Sequence, residues 1–172
     1  NLIRTFGPIT KSNISKKTGL KQTTCTRLID DLLKEELIKE SGFAASSGGR
    51  KPIMYDINEK LFYSIGIDLS RTFTKVILLD VRLNPLAAES LPITENTTPG
   101  DAIQFMHHAI DQMLAEHQVS KNQLVGIGVG SVEPLDREKG IMTDPLHFPN
   151  EKWKNVPIVD ALKEKWDTIV LL

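Results

Sequence analysis

The chain has 172 residues, with 21 Lys+Arg against 22 Asp+Glu, 40% apolar residues and a formal net charge of -1. Its longest apolar runs, Ser64 to Leu69 and Ile169 to Leu172, are far shorter than the roughly 18 residues of a membrane helix, and no charged-then-apolar leader opens it, so a cytoplasmic protein away from membranes is expected. A lone cysteine, Cys25, excludes an internal disulfide and a cysteine zinc site.

The charge is unevenly placed. Residues 1–60 carry 11 Lys+Arg and 7 Asp+Glu, and residues 61–172 carry 10 and 15. Arg4, Lys11, Lys16, Lys17, Lys21 and Arg27 all precede the first acid, Asp30. A basic segment joined to an acidic body points to a polyanionic partner at one end only.

In chain order, Leu2, Ile3 and Phe6 form the apolar face of a first helix already under way at residue 1, which Gly7-Pro8 stops. Thr10 can cap a second helix through Lys17, with Ile14 on its buried side. Thr18-Gly19-Leu20 is a turn, with Gly19 suited to a left-handed helix end. A third helix runs from about Gln22 to Glu36, and Cys25, Leu28, Ile29, Leu32 and Leu33 give it one apolar stripe. Leu37 to Glu40 and Pro52 to Ile57 read as two strands around a Gly/Ser-rich tip, Ser41 to Lys51.

This is the order of a winged helix-turn-helix, in which the last helix enters the major groove and the hairpin wing touches the backbone or minor groove. Opposite the apolar stripe, Gln22, Thr23, Thr26 and Arg27 are the candidates for reading bases: Gln matches adenine, Arg matches guanine, and Thr takes a base or a phosphate. Lys11, Lys16, Lys17 and Lys21 are placed near phosphates, and Arg50 and Lys51 on the wing. Cys25 falls on the apolar stripe, where it acts as a small hydrophobe rather than a redox switch.

A second module begins near residue 61. Ser64 to Leu69, Phe73 to Asp80 and Leu86 to Ile93 read as three strands. Pro99-Gly100-Asp101 opens a helix with Ala102, Ile103, Phe105, Met106, Ala109, Ile110, Met113 and Leu114 at helical spacing. A buried strand at Leu124 to Val129, a helix at Val156 to Trp166 and a strand at Thr168 to Leu172 complete an α/β pattern.

Several motifs in order then carry a resemblance. They are Ile9-Thr10-Lys11 through Gly19-Leu20, Leu32 to Ile38, Gly48-Gly49-Arg50-Lys51-Pro52, Ile65-Gly66-Ile67-Asp68, Gly126-Ile127-Gly128-Val129-Gly130, Phe148-Pro149-Asn150 and Trp153 to Ile158. Together they resemble the repressor/ORF/kinase (ROK) family in its transcriptional-regulator branch of xylose- and N-acetylglucosamine-type repressors, over essentially the whole chain. The resemblance implies a winged helix-turn-helix at 1–60 and, at 61–172, the N-terminal portion of a two-lobed sugar-kinase-like domain of the actin/hexokinase, ribonuclease H-like type. It further implies a homodimeric or larger regulator, usually a repressor, which binds double-stranded operator DNA of carbohydrate genes and answers to a sugar or a partner protein.

The chain departs from the family's kinases. Their phosphate loop resembles Asp-x-Gly-Gly-Thr, whereas Asp68-Leu69-Ser70-Arg71-Thr72 stands here, and side chains at 70 and 71 obstruct the backbone approach to phosphate. Asp68 is expected to cap the turn. The family's catalytic Asn-Asp motif, its His/Cys zinc site and most of its sugar contacts correspond to segments after Leu172, so a truncated chain is expected, with exposed apolar surface around Ile169 to Leu172. Glu133, Asp136 and Asp144 read as surface-turn carboxylates, and His107, His108, His117 and His147 have no metal-ligand spacing. No catalytic residue, cofactor or metal is therefore assigned. The alternatives to a DNA-binding regulator are an ATP-dependent sugar kinase and a dimerising interaction module without ligand sensing.

Overall fold

A computed structural model describes residues 1–45 and 50–172, which divide into two units, Asn1–Leu61 and Phe62–Leu172. The glycine pair Gly48-Gly49 of the expected wing tip lies outside the described residues.

In the first unit, α1 (Leu2–Phe6) stops at Gly7, which is extended and precedes Pro8. A two-residue strand, β1 (Ile9–Thr10), leads into α2 (Lys11–Thr18). The Thr10 hydroxyl caps α2 by accepting the Asn13 N–H at 3.3 Å. Gly19 ends α2 at φ 71°, a left-handed conformation that a Cβ would strain. After a short turn, α3 (Gln22–Lys34) runs into β2 (Ile38–Phe43), and β3 (Ile53–Ile57) returns. Among the described residues the sheet order is β1-β3-β2, antiparallel throughout. Ile9, Ile14, Cys25, Ile29, Ile38 and Tyr55 are buried together, with Leu2, Ile3, Leu32, Leu33 and Ile53 packed against them. Burying a side chain such as Ile29 contributes about 2 kcal/mol.

Several expectations need correction. Leu28 is 41% exposed rather than buried, because it lies at the edge of the stripe centred on Cys25 and Ile29. Phe6 also stays exposed, with Lys17 Nζ 4.2 Å above its ring. The strand expected over Leu37 to Glu40 is β2, which runs on to Phe43. Strand β1 was not expected at all, since two residues are too few for alternation to register.

In the second unit, β4 (Tyr63–Leu69), β5 (Phe73–Asp80) and β6 (Pro85–Pro92) form an antiparallel meander. Thr98 opens α4 (Pro99–Glu116) with a capping box: its hydroxyl accepts the Asp101 N–H at 3.2 Å, and Asp101 Oδ2 accepts the Thr98 N–H at 2.8 Å. The Thr98 hydroxyl, which also donates to Asp101 Oδ2 at 2.7 Å, and then the Thr98 N–H hold the Asp101 carboxyl below the usual carboxylate range. Strand β7 (Leu124–Ser131) then pairs in parallel with β4. A small hairpin of β8 (Leu135–Asp136) and β9 (Ile141–Met142), α5 (Ile158–Lys163) and β10 (Ile169–Leu171) follow. The five strands lie in the order β10-β7-β4-β5-β6.

One face of this sheet carries the core. Ile65, Ile67, Leu69, Val76, Leu78, Ile127, Val129 and Val170 bury against Met106, Ile110 and Met113 of α4 and Ile158 and Leu162 of α5. On the other face Asp68, Lys75, Gly128, Gly130, Ile169 and Leu171 are exposed. The helix expected over Val156 to Trp166 is shorter at both ends. Val156 is bridged to Met142, which holds it in extended backbone, and Trp166 lies beyond the helix with its N–H bonded to Leu162 C=O at 3.2 Å.

Candidate nucleic-acid interface

The helix spacing that buries Cys25 and Ile29 turns Thr23, Arg27 and Lys34 outward, and the helix start leaves Gln22 exposed as well. Thr26 is half-buried beside the stripe rather than opposite it. The same outer side carries Asp30 and Asp31, both exposed, so carboxylates follow the polar and basic first two turns. Lys34 was not singled out from the sequence, although it stands two turns after Arg27 on the same side.

The cations differ in what they hold. Lys11 pairs with Asp30 at 3.3 Å and lies 5.4 Å from the Tyr55 ring centroid, and Lys17 is seated on Phe6. The side chains of Lys16, Lys21, Arg27, Arg50 and Lys51 make no ion pair or hydrogen bond with the described residues. Exposed pairs such as Lys11–Asp30 are worth about 0–1 kcal/mol, so a competing phosphate displaces them readily. A groove in this unit is lined by Thr10, Lys11, Gln22, Arg50, Lys51 and Ile53, which brings the start of α2, the start of α3 and the residues leading into β3 to one surface.

In the second unit, the turn after β4 is held by Ser70. Its Oγ accepts the Thr72 N–H at 3.3 Å and the Phe73 N–H at 3.1 Å, and donates to Phe73 C=O at 3.0 Å. Asp68 does not cap this turn, contrary to expectation; it lies within β4 as an exposed side chain opposite Lys75 and Gly130. Arg71 Nε donates to Leu146 C=O at 2.7 Å, so its guanidinium ties the turn to the loop before Trp153. Glu133 pairs with Arg137 at 2.8 Å, Asp136 with Lys139 at 3.0 Å and Asp144 with Lys154 at 3.6 Å, which leaves these carboxylates in separate pairs, with Asp136 half-buried and the other two exposed. Among the described residues no group of three or more His, Cys, Asp or Glu side chains could hold a metal ion.

His107 has a structural role that the sequence did not disclose. Its Nδ1 accepts the Trp166 Nε1–H at 3.0 Å, which requires that nitrogen to be unprotonated. Burial first, and then the charge of Lys165, pushes the imidazole below its usual pKa. The unfolded chain therefore takes up the proton first. The stabilisation is complete above the ordinary His value of about 6.5 and is lost as pH falls from there through the lower folded value. Urea midpoints of the native chain should drop between pH 8 and pH 5 more than those of His107→Gln; parallel curves would refute this role.

Comparison with known proteins places the chain. The family model described as the ROK family matches residues 64–172. The chain belongs to the ROK family. It is 30% identical over 168 residues to the xylose repressor of Bacillus subtilis, covering 96% of this chain and 42% of that protein. It is also 30% identical over 169 residues to the DNA-binding transcriptional dual regulator NagC of Escherichia coli, covering 96% and 40%. The chain thus spans about two fifths of the length of these curated relatives. The crystal structure of a ROK family transcriptional regulator, a homolog of the E. coli MLC protein, superposes with a TM-score of 0.64 at 20% identity, over 99% of this chain and 42% of that one. That likeness is one of fold, and the mixed α/β sheet around β4 is similar to that of the ROK sugar-kinase-like domain. No helix among the described residues is long and apolar enough to cross a membrane.

Proposed function

We propose that this chain is the DNA-reading part and first sheet of a sugar-responsive transcriptional repressor. In this reading residues 1–60 are a winged helix-turn-helix and residues 61–172 begin the sugar-kinase-like domain. The observation that carries it is the single surface formed by Gln22 on α3, Lys11 on α2 and Arg50 and Lys51 at the wing base. Gln22, Thr23 and Arg27 supply base-reading groups, and Lys16, Lys21, Arg50 and Lys51 supply phosphate contacts. Thr26, half-buried, offers its hydroxyl only at the rim. Asp30 and Asp31 repel phosphate, which confines DNA to the first two turns of α3. Lys11 and Lys17 are secondary phosphate contacts, since each already has an intramolecular partner.

The names of the relatives support a repressor of sugar-use genes, with xylose or N-acetylglucosamine as the model for its effector. One such helix reads few base pairs, so a homodimer on a two-fold operator follows from the reading geometry. An effector releases the DNA only through unequal affinity for two arrangements of that dimer. A sugar-kinase activity has less support: at the turn after β4, Ser70 Oγ and the Arg71 guanidinium stand where a phosphate cradle needs bare backbone N–H groups.

The test is an anisotropy titration of the chain on labelled duplex from upstream of its own gene, beside a scrambled duplex, at two salt concentrations. A preference of roughly a thousandfold is expected. Equal and steeply salt-dependent binding to both duplexes would reduce the interface to a generic basic surface.

A further inference from the structure

Phe43 ends β2 and is 62% exposed. Phe6 is exposed to 54%, but a lysine covers it; no residue covers Phe43 among the described ones. The backbone places Phe43 with care. Glu40 is opposite Tyr55 and Phe43 is opposite Ile53, so three residues of β2 advance against two of β3. This is a bulge, and Gly42, at φ 98°, supplies the left-handed conformation that it needs. In a regular ladder Gly42 would stand opposite Ile53, and Phe43 would face the other side of the sheet. The extra residue turns Phe43 onto the face shared by Ile53 and Tyr55. Pairing continues past it, since Ala44 N–H donates to Pro52 C=O at 2.8 Å.

Ile53 lines the groove with Gln22, Arg50 and Lys51, and residues opposite each other on antiparallel strands lie about 5 Å apart. Phe43 therefore stands directly across the ladder from Ile53, on the same face of the sheet as the groove that Ile53 lines with Arg50 and Lys51. Resting on the proposed function above, we infer that Phe43 is a DNA-contacting residue, whose ring packs on the deoxyribose wall of the minor groove while Arg50 and Lys51 take the flanking phosphates. The charge of the groove selects the occupant, and the bulge orients the apolar group towards it. Apolar side chains in the minor groove add contact area and carry no charge of their own.

That division makes the inference testable on the whole chain with the upstream duplex. Phe43→Ala should weaken binding about tenfold and leave the slope of log affinity against log salt unchanged. Lys51→Ala should instead flatten that slope by about 0.9 for the phosphate lost. Phe43→Leu should keep most of the affinity, and Phe43→Gln should behave as Phe43→Ala with an unaltered thermal midpoint. Affinity within twofold of the native chain in Phe43→Ala, or a loss that comes with a flatter salt slope, would overturn the contact while leaving the proposed function standing. A native chain that does not prefer its upstream duplex would overturn the function itself, and this contact with it.

Discussion

Trp153→Ala should destabilise the second unit by about 3–5 kcal/mol, the range for truncating a fully buried aromatic. Trp153 is 1% exposed. Its Nε1–H donates to Thr97 C=O at 3.1 Å, and its ring lies 4.7 Å from that of Phe148. Asn150 Nδ2 donates to the same carbonyl at 2.9 Å and to Glu95 C=O at 3.1 Å, so one segment ahead of α4 anchors the whole loop through two side chains. Alanine would leave a cavity in the core and remove one of these two anchors. Equilibrium unfolding in urea measures the loss, and Trp153→Phe should recover part of it by refilling the space. A cost below about 1 kcal/mol would mean that the loop closes over the gap and that the indole is not a structural peg.

Arg27→Ala should cost about 1–3 kcal/mol of binding to the upstream duplex and relax specificity at one base pair. Arg27 is exposed on the second turn of α3 and has no partner among the described residues, so its guanidinium reaches outward without an internal bond to break. On scrambled duplex the same change should do much less, because base readout is lost there already. Lys16→Ala provides the contrast: a phosphate contact should weaken binding to both duplexes alike and lower the salt slope by about one. If Arg27→Ala behaves as Lys16→Ala does, Arg27 touches phosphate, and the base-reading assignment passes to Gln22 and Thr23.

Much of the architecture was legible because it rests on long periodic segments. The 3.6-residue spacing of Cys25 and Ile29, and of Met106, Ile110 and Met113, identified α3 and α4, and β5 was read with both of its ends, Phe73 and Asp80, in place. Short or context-dependent features were not legible. Strands β1, β8 and β9 have two residues each, too few to show a period. The ends of α5 depend on Val156 finding Met142 across the chain. For the candidate interface, residue types were readable but orientation was not. Thr26 falls beside the apolar stripe by a fraction of a turn, and the side on which Phe43 emerges depends on one extra residue at Gly42. The tie from Trp166 to His107 joins residues 59 positions apart, beyond the reach of any local pattern.

The placement of the two tryptophans gives the chain an optical label. Trp153 and Trp166 are 1% and 2% exposed, both belong to residues 62–172, and each indole N–H is hydrogen-bonded. Intrinsic fluorescence excited at the red edge of the indole band therefore comes from the second unit alone. The first unit has no tryptophan and is followed instead through buried Tyr55 or through its far-ultraviolet helix signal. Trp166 emits beside an imidazole acceptor and Trp153 beside a phenyl ring, so acid should change the brightness of one emitter before any unfolding shifts the other. A single unlabelled sample can thus distinguish melting of the basic unit from melting of the sheet unit.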